Sequence, residues 1–301
     1  MFEPNNNFIN LSNKSLTNLP VGFGQNIPSL IGLYLVNNQL TSLPDGFGLV
    51  LPNLTRLYLD NNQLTSLPDG FGQNLPSLGF LSLSNNQLTS LPDGFGLILS
   101  NLIHLDLYNN KLTSLLDGFG QNLPSLTHLY LHDNKLTSLP DGFGQNLPSL
   151  KHLSLSNNQL TSLPDGFGHA LSVPKLEHLY LYNNQLTRLP DGFGQNLPNL
   201  IELYLNNNQL TNLPDSFGQS ILPSLAFLSL DNNQLKSLPD GFGHAPSVPK
   251  LEELYLNNNR LTSLPDSFGQ IILPNLIFLI VCNNQALACV YLMALVKIYQ
   301  T

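Results

Sequence analysis

Leu126-Thr127-His128-Leu129-Tyr130-Leu131-His132-Asp133-Asn134-Lys135-Leu136-Thr137-Ser138-Leu139-Pro140-Asp141-Gly142-Phe143-Gly144 is one copy of a phrase that recurs along the chain almost letter for letter. The Leu, Asn, Pro, Asp, Gly and Phe positions return in nearly every copy, whereas the residues between and just after the first leucines keep changing. The self-similarity runs from about Ile9 to Gln285 without a linker or a shift in composition, so the 301 residues read as one repetitive domain. The Asn column is Asn38, Asn62, Asn86, Asn110, Asn134, Asn158, Asn184, Asn208, Asn233, Asn259 and Asn284, spaced by 24 residues at first and by 24 to 26 after Asn158.

Each copy predicts one short strand, such as Leu129–Leu131, whose alternation turns two leucines inward and the tyrosine outward. A single strand cannot bury its apolar face, but stacked copies can. The predicted fold class is therefore α/β: a curved, horseshoe-like solenoid with a parallel concave sheet of about twelve strands and a convex side made mostly of loops and turns. Asn134 and its equivalents are expected to form a buried ladder, each amide satisfying backbone groups of the turn and the neighbouring coil. Pro140 fixes φ, Asp141 is expected to cap the following turn, and Gly142 and Gly144 permit a tight bend around Phe143. Phe143 and Leu147 are expected to fill the convex core, and Pro148 to stop helix and return the chain to the next strand. The insertions at His169–Pro174, His244–Pro249, Ile221 and Ile271 all fall on this convex side.

The ends differ from the middle. Ile9-Asn10-Leu11-Ser12-Asn13-Lys14 is a degraded first copy with Lys14 at the Asn position, and Ala286 breaks the pattern at the other end. The solenoid is assigned to residues 1–286, as about twelve repeats. Residues 287–301 predict a short C-terminal capping helix of the same domain, laid over the last repeat by Leu292, Leu295 and Val296. A membrane anchor is the competing reading of that tail, but the longest apolar stretch, Ala286–Val296, is short of the roughly 20 residues that cross a bilayer.

Charge and composition exclude more than they assign. The formal charge is −8 with only 10% charged residues, which does not supply the basic stripe a nucleic-acid binder needs. Much of the acidity is one residue repeated: Asp45, Asp69, Asp93, Asp117, Asp141, Asp165, Asp191, Asp215, Asp240 and Asp266 occupy the same turn, and turn geometry accounts for them better than catalysis does. The start, MFEPNNNFIN, lacks the basic and apolar regions of a Sec signal. Cys282 and Cys289 are too few for a disulfide framework and fit a reducing compartment, so a soluble protein, cytoplasmic in the producing cell, is expected.

The changing positions carry the functional signal. The face-lining residues include Arg56, Tyr58, Phe80, His104, Asp106, Tyr108, His128, Tyr130, His132, Asp133, His152, His178, Tyr180, Tyr182, Glu202, Tyr204, Phe227, Asp231, Glu253 and Tyr255, and these form the predicted protein-binding surface. Eight of the 10 tyrosines and five of the 7 histidines fall in three face-lining columns. Tyrosine offers large area, few rotors and a polar tip at contact surfaces. Twelve strands about 4.8 Å apart give an arc of roughly 50 Å, enough for a standard interface of about 800 Å² per partner. A preference of tyrosine for strands explains the middle column but not the histidines and aromatics beside it.

The run His104, His128, His152 and His178, with His132 beside it, could in principle hold a metal or sense pH. Imidazoles in a ladder lie in a row rather than a tetrahedron, and no cysteine is near, so a contact patch is the expected role and no metal or cofactor is assigned. Ser154, His128, His152 and Asp106 evoke a triad, but nothing builds an oxyanion hole and an open sheet does not exclude water. No catalytic residue is assigned. Asp60, Asp106, Asp133, Glu202, Asp231 and Glu253 outnumber Arg56 on this face, so a partner with a basic or mixed patch is expected, binding in a salt-sensitive way.

Over residues 9–286 the unit L-x-x-L-x-L-x-x-N-x-L-T-S-L-P-D-G-F-G resembles leucine-rich-repeat proteins. The lamprey variable lymphocyte receptors share the LTSLPDG phrase but carry cysteine-rich caps that this chain lacks, and the type III ubiquitin-ligase effectors add a catalytic domain for which no length remains. The cysteine-poor, Asn-rich array looks most like the leucine-rich effectors of intracellular bacteria such as Legionella. That resemblance implies delivery into the host cytosol without a Sec signal. It also implies a monomeric, non-enzymatic binder that docks by its concave face onto a host protein or a co-secreted effector enzyme and inhibits or regulates it. A structural or adhesive surface protein is the alternative.

Overall fold

A computed structural model of the chain describes residues 7–48, 51–72, 75–95, 99–145, 147–168, 172–219, 222–243, 248–265, 273, 275–285, 287 and 289–293. The chain divides into two compact units, Met1–Leu153 and Ser154–Thr301. Both are built from the same repeat, in which a three-residue strand alternates a buried leucine with outward neighbours.

In the first unit the strands are β1 (Phe8–Asn10), β2 (Gly32–Tyr34), β3 (Arg56–Tyr58), β4 (Phe80–Ser82), β5 (His104–Asp106) and β6 (His128–Tyr130), with β7 (His152–Ser154) at its end. Neighbours from β1 to β6 pair in parallel, one repeat apart, so that Leu105 stands beside Leu129 and His104 beside His128. The backbone N–H groups of Lys151 and His152 donate to Thr127 O at 2.9 and 3.0 Å. In the second unit β8 (His178–Tyr180), β9 (Glu202–Tyr204), β10 (Phe227–Ser229), β11 (Glu253–Tyr255) and β12 (Phe278–Val281) continue the parallel pattern. The expected parallel sheet and turn-rich opposite side are thus present, with one four-residue helix, α1 (Ser216–Gln219), among the described residues.

The core is a stack of leucines. Leu105, Leu107, Leu129, Leu131, Leu203, Leu205, Leu228 and Leu230 are all at 0% exposure, each contributing about 1.5–3 kcal/mol by leaving water. Opposite the strands runs a phenylalanine spine. Phe23, Phe47, Phe71 and Phe95 stack at 6.2–6.3 Å in the first unit, and Phe167, Phe193, Phe217 and Phe242 at 6.0–6.3 Å in the second.

Between leucines and phenylalanines lies the asparagine ladder, as expected. The Asn134 amide donates to Leu107 O and Leu131 O at 3.0 and 3.1 Å, and its carbonyl accepts from Leu112 N at 3.0 Å. Asn208 repeats the set in the second unit with Leu181 O, Leu205 O and Leu186 N. Because the side chain is buried with both ends satisfied, it locks each repeat to its predecessor without a polar penalty.

The turn after the ladder differs from expectation at one residue. Phe143 N donates to Pro140 O and Gln145 N to Gly142 O, both at 3.0 Å, with Gly142 and Gly144 at φ of 75° and 92°. The glycines serve as anticipated, but Asp141 does not cap: backbone groups alone close the turn and the Asp141 side chain is exposed. The inserted residues 169–171, 221, 244–247 and 271, together with Asp266 and Ala286, lie outside the described residues.

The C-terminal end corrects the expected capping helix. Val290–Met293 is a strand, β13, antiparallel to β12 with Leu279 beside Leu292 and Val281 beside Val290. The last parallel strand presents a row of unpaired N–H and C=O groups, and a hairpin satisfies them where a helix would not. Leu295 and Val296 lie outside the described residues. The cysteines correct a second expectation. Cys282 and Cys289 are not free thiols but a disulfide with Cα atoms 4.2 Å apart, closing the loop between β12 and β13.

Candidate functional site

From β3 to β12 the residues flanking the buried leucine lie on the open side of the sheet. One residue further, a second leucine is buried in most copies, and the next side chain is half-buried at Asp60, Tyr108, His132, Tyr182, Asn206 and Asp231 but buried at Ser84 and Ser156. The chain then reverses through a left-handed residue: Asn37, Asn61, Asn85, Asn109, Asp133 and Asn157 have φ between 51° and 56°, and Asn183, Asn207, Asn232 and Asn258 between 54° and 57°. Asn and Asp tolerate that region better than other non-glycine residues. Their side chains make a second, exposed ladder, with Asn109 Nδ2 donating to Asn85 Oδ1 at 2.6 Å and Asn207 Nδ2 to Asn183 Oδ1 at 2.7 Å. Asp133 is therefore exposed, as expected of a display residue, but the backbone selects its type.

On the first unit the face is a row of stacked rings. The Arg56 guanidinium lies 5.8 Å from the centre of the Phe80 ring. Phe80, His104, His128 and His152 follow at 6.0, 5.5 and 4.4 Å. Tyr58 stacks on Tyr34 at 5.1 Å, Tyr108 on His132 at 4.6 Å, and Tyr130 leans on His104 at 5.4 Å. Carboxylates in this row are met by neighbours. Asp60 accepts from the hydroxyls of Ser82 and Ser84, Asp106 lies 3.7 Å from His104 Nε2, and Asp133 lies 3.9 Å from His132 Nε2. Burial lowers the pKa of His132 against the opposing pull of Asp133 and Asp106. Burial likewise raises Tyr58 and Tyr130.

On the second unit tyrosine and phenylalanine replace histidine, and the surface is hollow. Tyr180 and Tyr204 rings lie 5.1 Å apart, Tyr182 meets Tyr204 edge-on at 6.4 Å, and Phe227 lies 4.4 Å from Tyr204 and 5.3 Å from Tyr255. Tyr180 donates its hydroxyl to Glu202 Oε2 at 2.9 Å, and His178 Nδ1 lies 3.2 Å from the same oxygen. Tyr255 donates to Glu253 Oε2 at 2.7 Å, and this bond, aided by burial, pushes its pKa up to about 12. Asp231 accepts from the backbone N–H of Asn257 at 2.6 Å, yet burial raises its pKa. These aromatic rings, with Asn206, Ser229 and Asp231, line a cavity of about 530 Å³.

Of the twenty residues singled out by sequence, nineteen lie on the strands or at the outward position just after them and Asp133 lies in the turn, eleven in all on the first unit and nine on the second. Asn206 and Ser229 fall in the face-lining columns of the sequence but not among those twenty, being small and neutral where rings dominate. A serine between tyrosines at the same strand position was the available signal. Ser154, one of the triad candidates, is buried, and its hydroxyl lies 3.4 Å from that of Ser156. Among the described residues no helix is long and apolar enough to cross a membrane.

Comparison with known proteins agrees with the repeat. A leucine rich repeat profile matches residues 52–98, 81–136, 124–172 and 174–235, and a profile for two copies of the repeat matches 28–73 and 223–269. No curated protein matches the chain in sequence. Among solved structures, a leucine-rich-repeat protein of Leptospira interrogans is 35% identical, with 91% of this chain and 78% of that one covered and a TM-score of 0.67. YopM, a leucine-rich effector protein from Yersinia pestis, is 32% identical over 93% of this chain and 78% of that one, with a TM-score of 0.60. The glycosylated Toll–Spatzle complex of Drosophila is 25% identical over 90% of this chain and 36% of that one, with a TM-score of 0.78. By its repeat, its ladder and these matches, the chain belongs to the leucine-rich-repeat family.

Proposed function

We propose that the chain is a non-enzymatic protein-binding module that docks onto a partner through its strand face and inhibits or regulates it. The carrying observation is the division of labour within each repeat. Leucine, asparagine and phenylalanine make the stack, whereas rings and carboxylates collect on the face with no part in the ladder. Large, rigid aromatic side chains with polar tips are the usual anchors of protein interfaces. The carboxylates favour a partner with a basic or mixed patch, the chain itself acting as a monomer. The likeness to YopM, described as an effector, supports a role for such binding in a bacterial host interaction, with a host protein or a co-secreted effector enzyme as the target.

A second reading is favoured by one observation. The Cys282–Cys289 disulfide persists in oxidising surroundings and is unusual in a reducing cytosol. It supports an exported or surface leucine-rich-repeat protein, structural or adhesive, over delivery into host cytosol. Affinity capture with wild-type chain and with the triple variant Tyr130→Ala, Tyr180→Ala, His152→Ala separates these readings. A docking module loses its partner in the variant while its melting temperature holds. Retention of every partner by the variant counts against the face, and thiol counting on protein taken from its own cell decides the compartment.

A further inference from the structure

The hollow on the second unit has a definite construction. Ser229 of β10 is in register with Tyr204 of β9 and Tyr255 of β11, so a hydroxymethyl stands where both neighbours carry a ring. Phe227 closes one side of the gap, lying against both tyrosines. Asn206 and Asp231, two residues beyond Tyr204 and Ser229, line the other side. The result is an aromatic box with a carboxylate and an amide at one edge.

Two features of that edge are unsettled in the free protein. Asn206 Oδ1 is buried and accepts no hydrogen bond among the described residues. Such an acceptor is costly to leave unmade. Asp231 carries a half-buried carboxylate supported by the backbone N–H and the side chain of Asn257. The Asn206 carbonyl calls for a donor, the Asp231 carboxylate has lone pairs beyond its Asn257 bonds, and the rings around them present negative π-faces that favour a cation within about 6 Å. The hydroxyls of Tyr180 and Tyr255 are themselves directed to Glu202 and Glu253, the former shared with His178, and the residues lining the cavity carry one carboxylate and no basic side chain.

We propose that this cavity is the receptor for a single arginine side chain of the protein partner. A guanidinium is flat enough to stack on Tyr204 or Tyr255 and carries five N–H donors, so one head group serves both the Asp231 carboxylate and the Asn206 carbonyl while its methylenes lie on Phe227. A lysine ammonium matches the charge but neither the plane nor the fork. The inference rests on the strand face being the binding surface and names the chemistry it selects. At the equivalent place on the first unit the carboxylate is Asp60, held by the hydroxyls of Ser82 and Ser84 in the next repeat.

The test titrates the full chain with acetyl-Gly-Arg-Gly-amide and with peptides carrying citrulline or lysine in place of arginine, read by NMR of the aromatic protons. Citrulline keeps the shape and removes the charge. The arginine peptide is expected to bind at least about tenfold more tightly than the citrulline one, with lysine between them. Ser229→Tyr, which extends the tyrosine row already carried by β8, β9 and β11, should fill the box and abolish arginine binding without lowering the melting temperature. Asn206→Leu should weaken it by about tenfold. Equal binding of arginine and citrulline overturns the proposal, as does lysine binding as tightly as arginine or Ser229→Tyr binding as well as wild type. Loss of peptide binding in Ser229→Tyr with full partner capture sinks the assignment of the partner's arginine to this box while sparing the wider face. A partner kept by the triple variant above sinks the wider reading instead.

Discussion

Phe80-Leu81-Ser82-Leu83-Ser84 on the first unit and Phe227-Leu228-Ser229-Leu230-Asp231 on the second are nearly the same five residues on the same backbone. Their leucines are equally buried and their strands pair in the same register. The surfaces they make are different. Around Ser82 a carboxylate from the preceding repeat, Asp60, takes both serine hydroxyls and closes the surface. Around Ser229 the neighbours are Tyr204 and Tyr255, and the carboxylate belongs to the repeat itself, so a hollow remains. The scaffold is indifferent to which version it carries. Function in such a protein is written by neighbouring repeats jointly, since the same serine is filler in one place and the floor of a cavity in the other.

That indifference can be broken most forcefully at the ladder. Asn134→Ala and Asn208→Ala each remove four hydrogen bonds and leave backbone groups unpaired, and each should cost about 3 kcal/mol or more in chemical denaturation. If the two costs differ widely, the units are not equivalent scaffolds and the contrast between their faces loses its basis. Next in size is the disulfide, which belongs to the second unit alone. Closing an eight-residue loop is worth about 2–3 kcal/mol by chain entropy, so Cys282→Ser, or added reductant, should lower the second unit's stability while amide exchange in β3–β6 stays as it was. Equal loss of protection in β3–β6 would show the disulfide to act on the whole chain.

Much of this contrast was legible in sequence and part of it was not. Strand positions, the buried leucines, the Asn ladder and the Phe143-type core follow from a phrase repeated so often that each copy corroborates the others. The failures sit where repetition ends or where one residue has two reasons to be there. Val290–Met293 has no second copy, and apolar density alone does not separate a helix from a strand that covers a sheet edge. Asp133 reads as a display acid because the columns around it vary, whereas the left-handed turn selects Asn or Asp there. Asp141 reads as a cap because Asp caps helices, but the turn it enters closes through backbone alone. The cavity was hidden because its making depends on an absence, the missing ring at Ser229, and on pairing between three strands.

Smaller effects separate the faces by pH. His132 on the first unit has its pKa lowered by burial, so the unfolded chain binds its proton more readily than the folded one. Its contribution is full above the ordinary histidine pKa and fades as pH falls below it. His132→Phe should therefore flatten the loss of melting temperature between about pH 7 and pH 5. Asp231 on the second unit has the opposite sign. Its carboxyl is raised by burial, so the folded state holds the proton longer and stability gains as pH falls toward that range. Asp231→Asn should remove this gain, and an unchanged acid profile in either variant would contradict the burial described for that residue. Smallest of all, Tyr255 should stay protonated in an alkaline ultraviolet titration until about pH 12, and Glu253→Gln should return it toward the ordinary phenol range.

The proposed docking rests on side chains of the strand face that the scaffold does not need. Calorimetric titration of a captured partner against wild type and the Tyr130→Ala, Tyr180→Ala, His152→Ala variant, with melting temperature recorded on the same samples, tests it most directly. The account predicts at least a hundredfold loss of affinity, on the order of 3 kcal/mol, with little change in melting temperature. Unchanged affinity in the variant, or a loss that merely tracks unfolding, would contradict it.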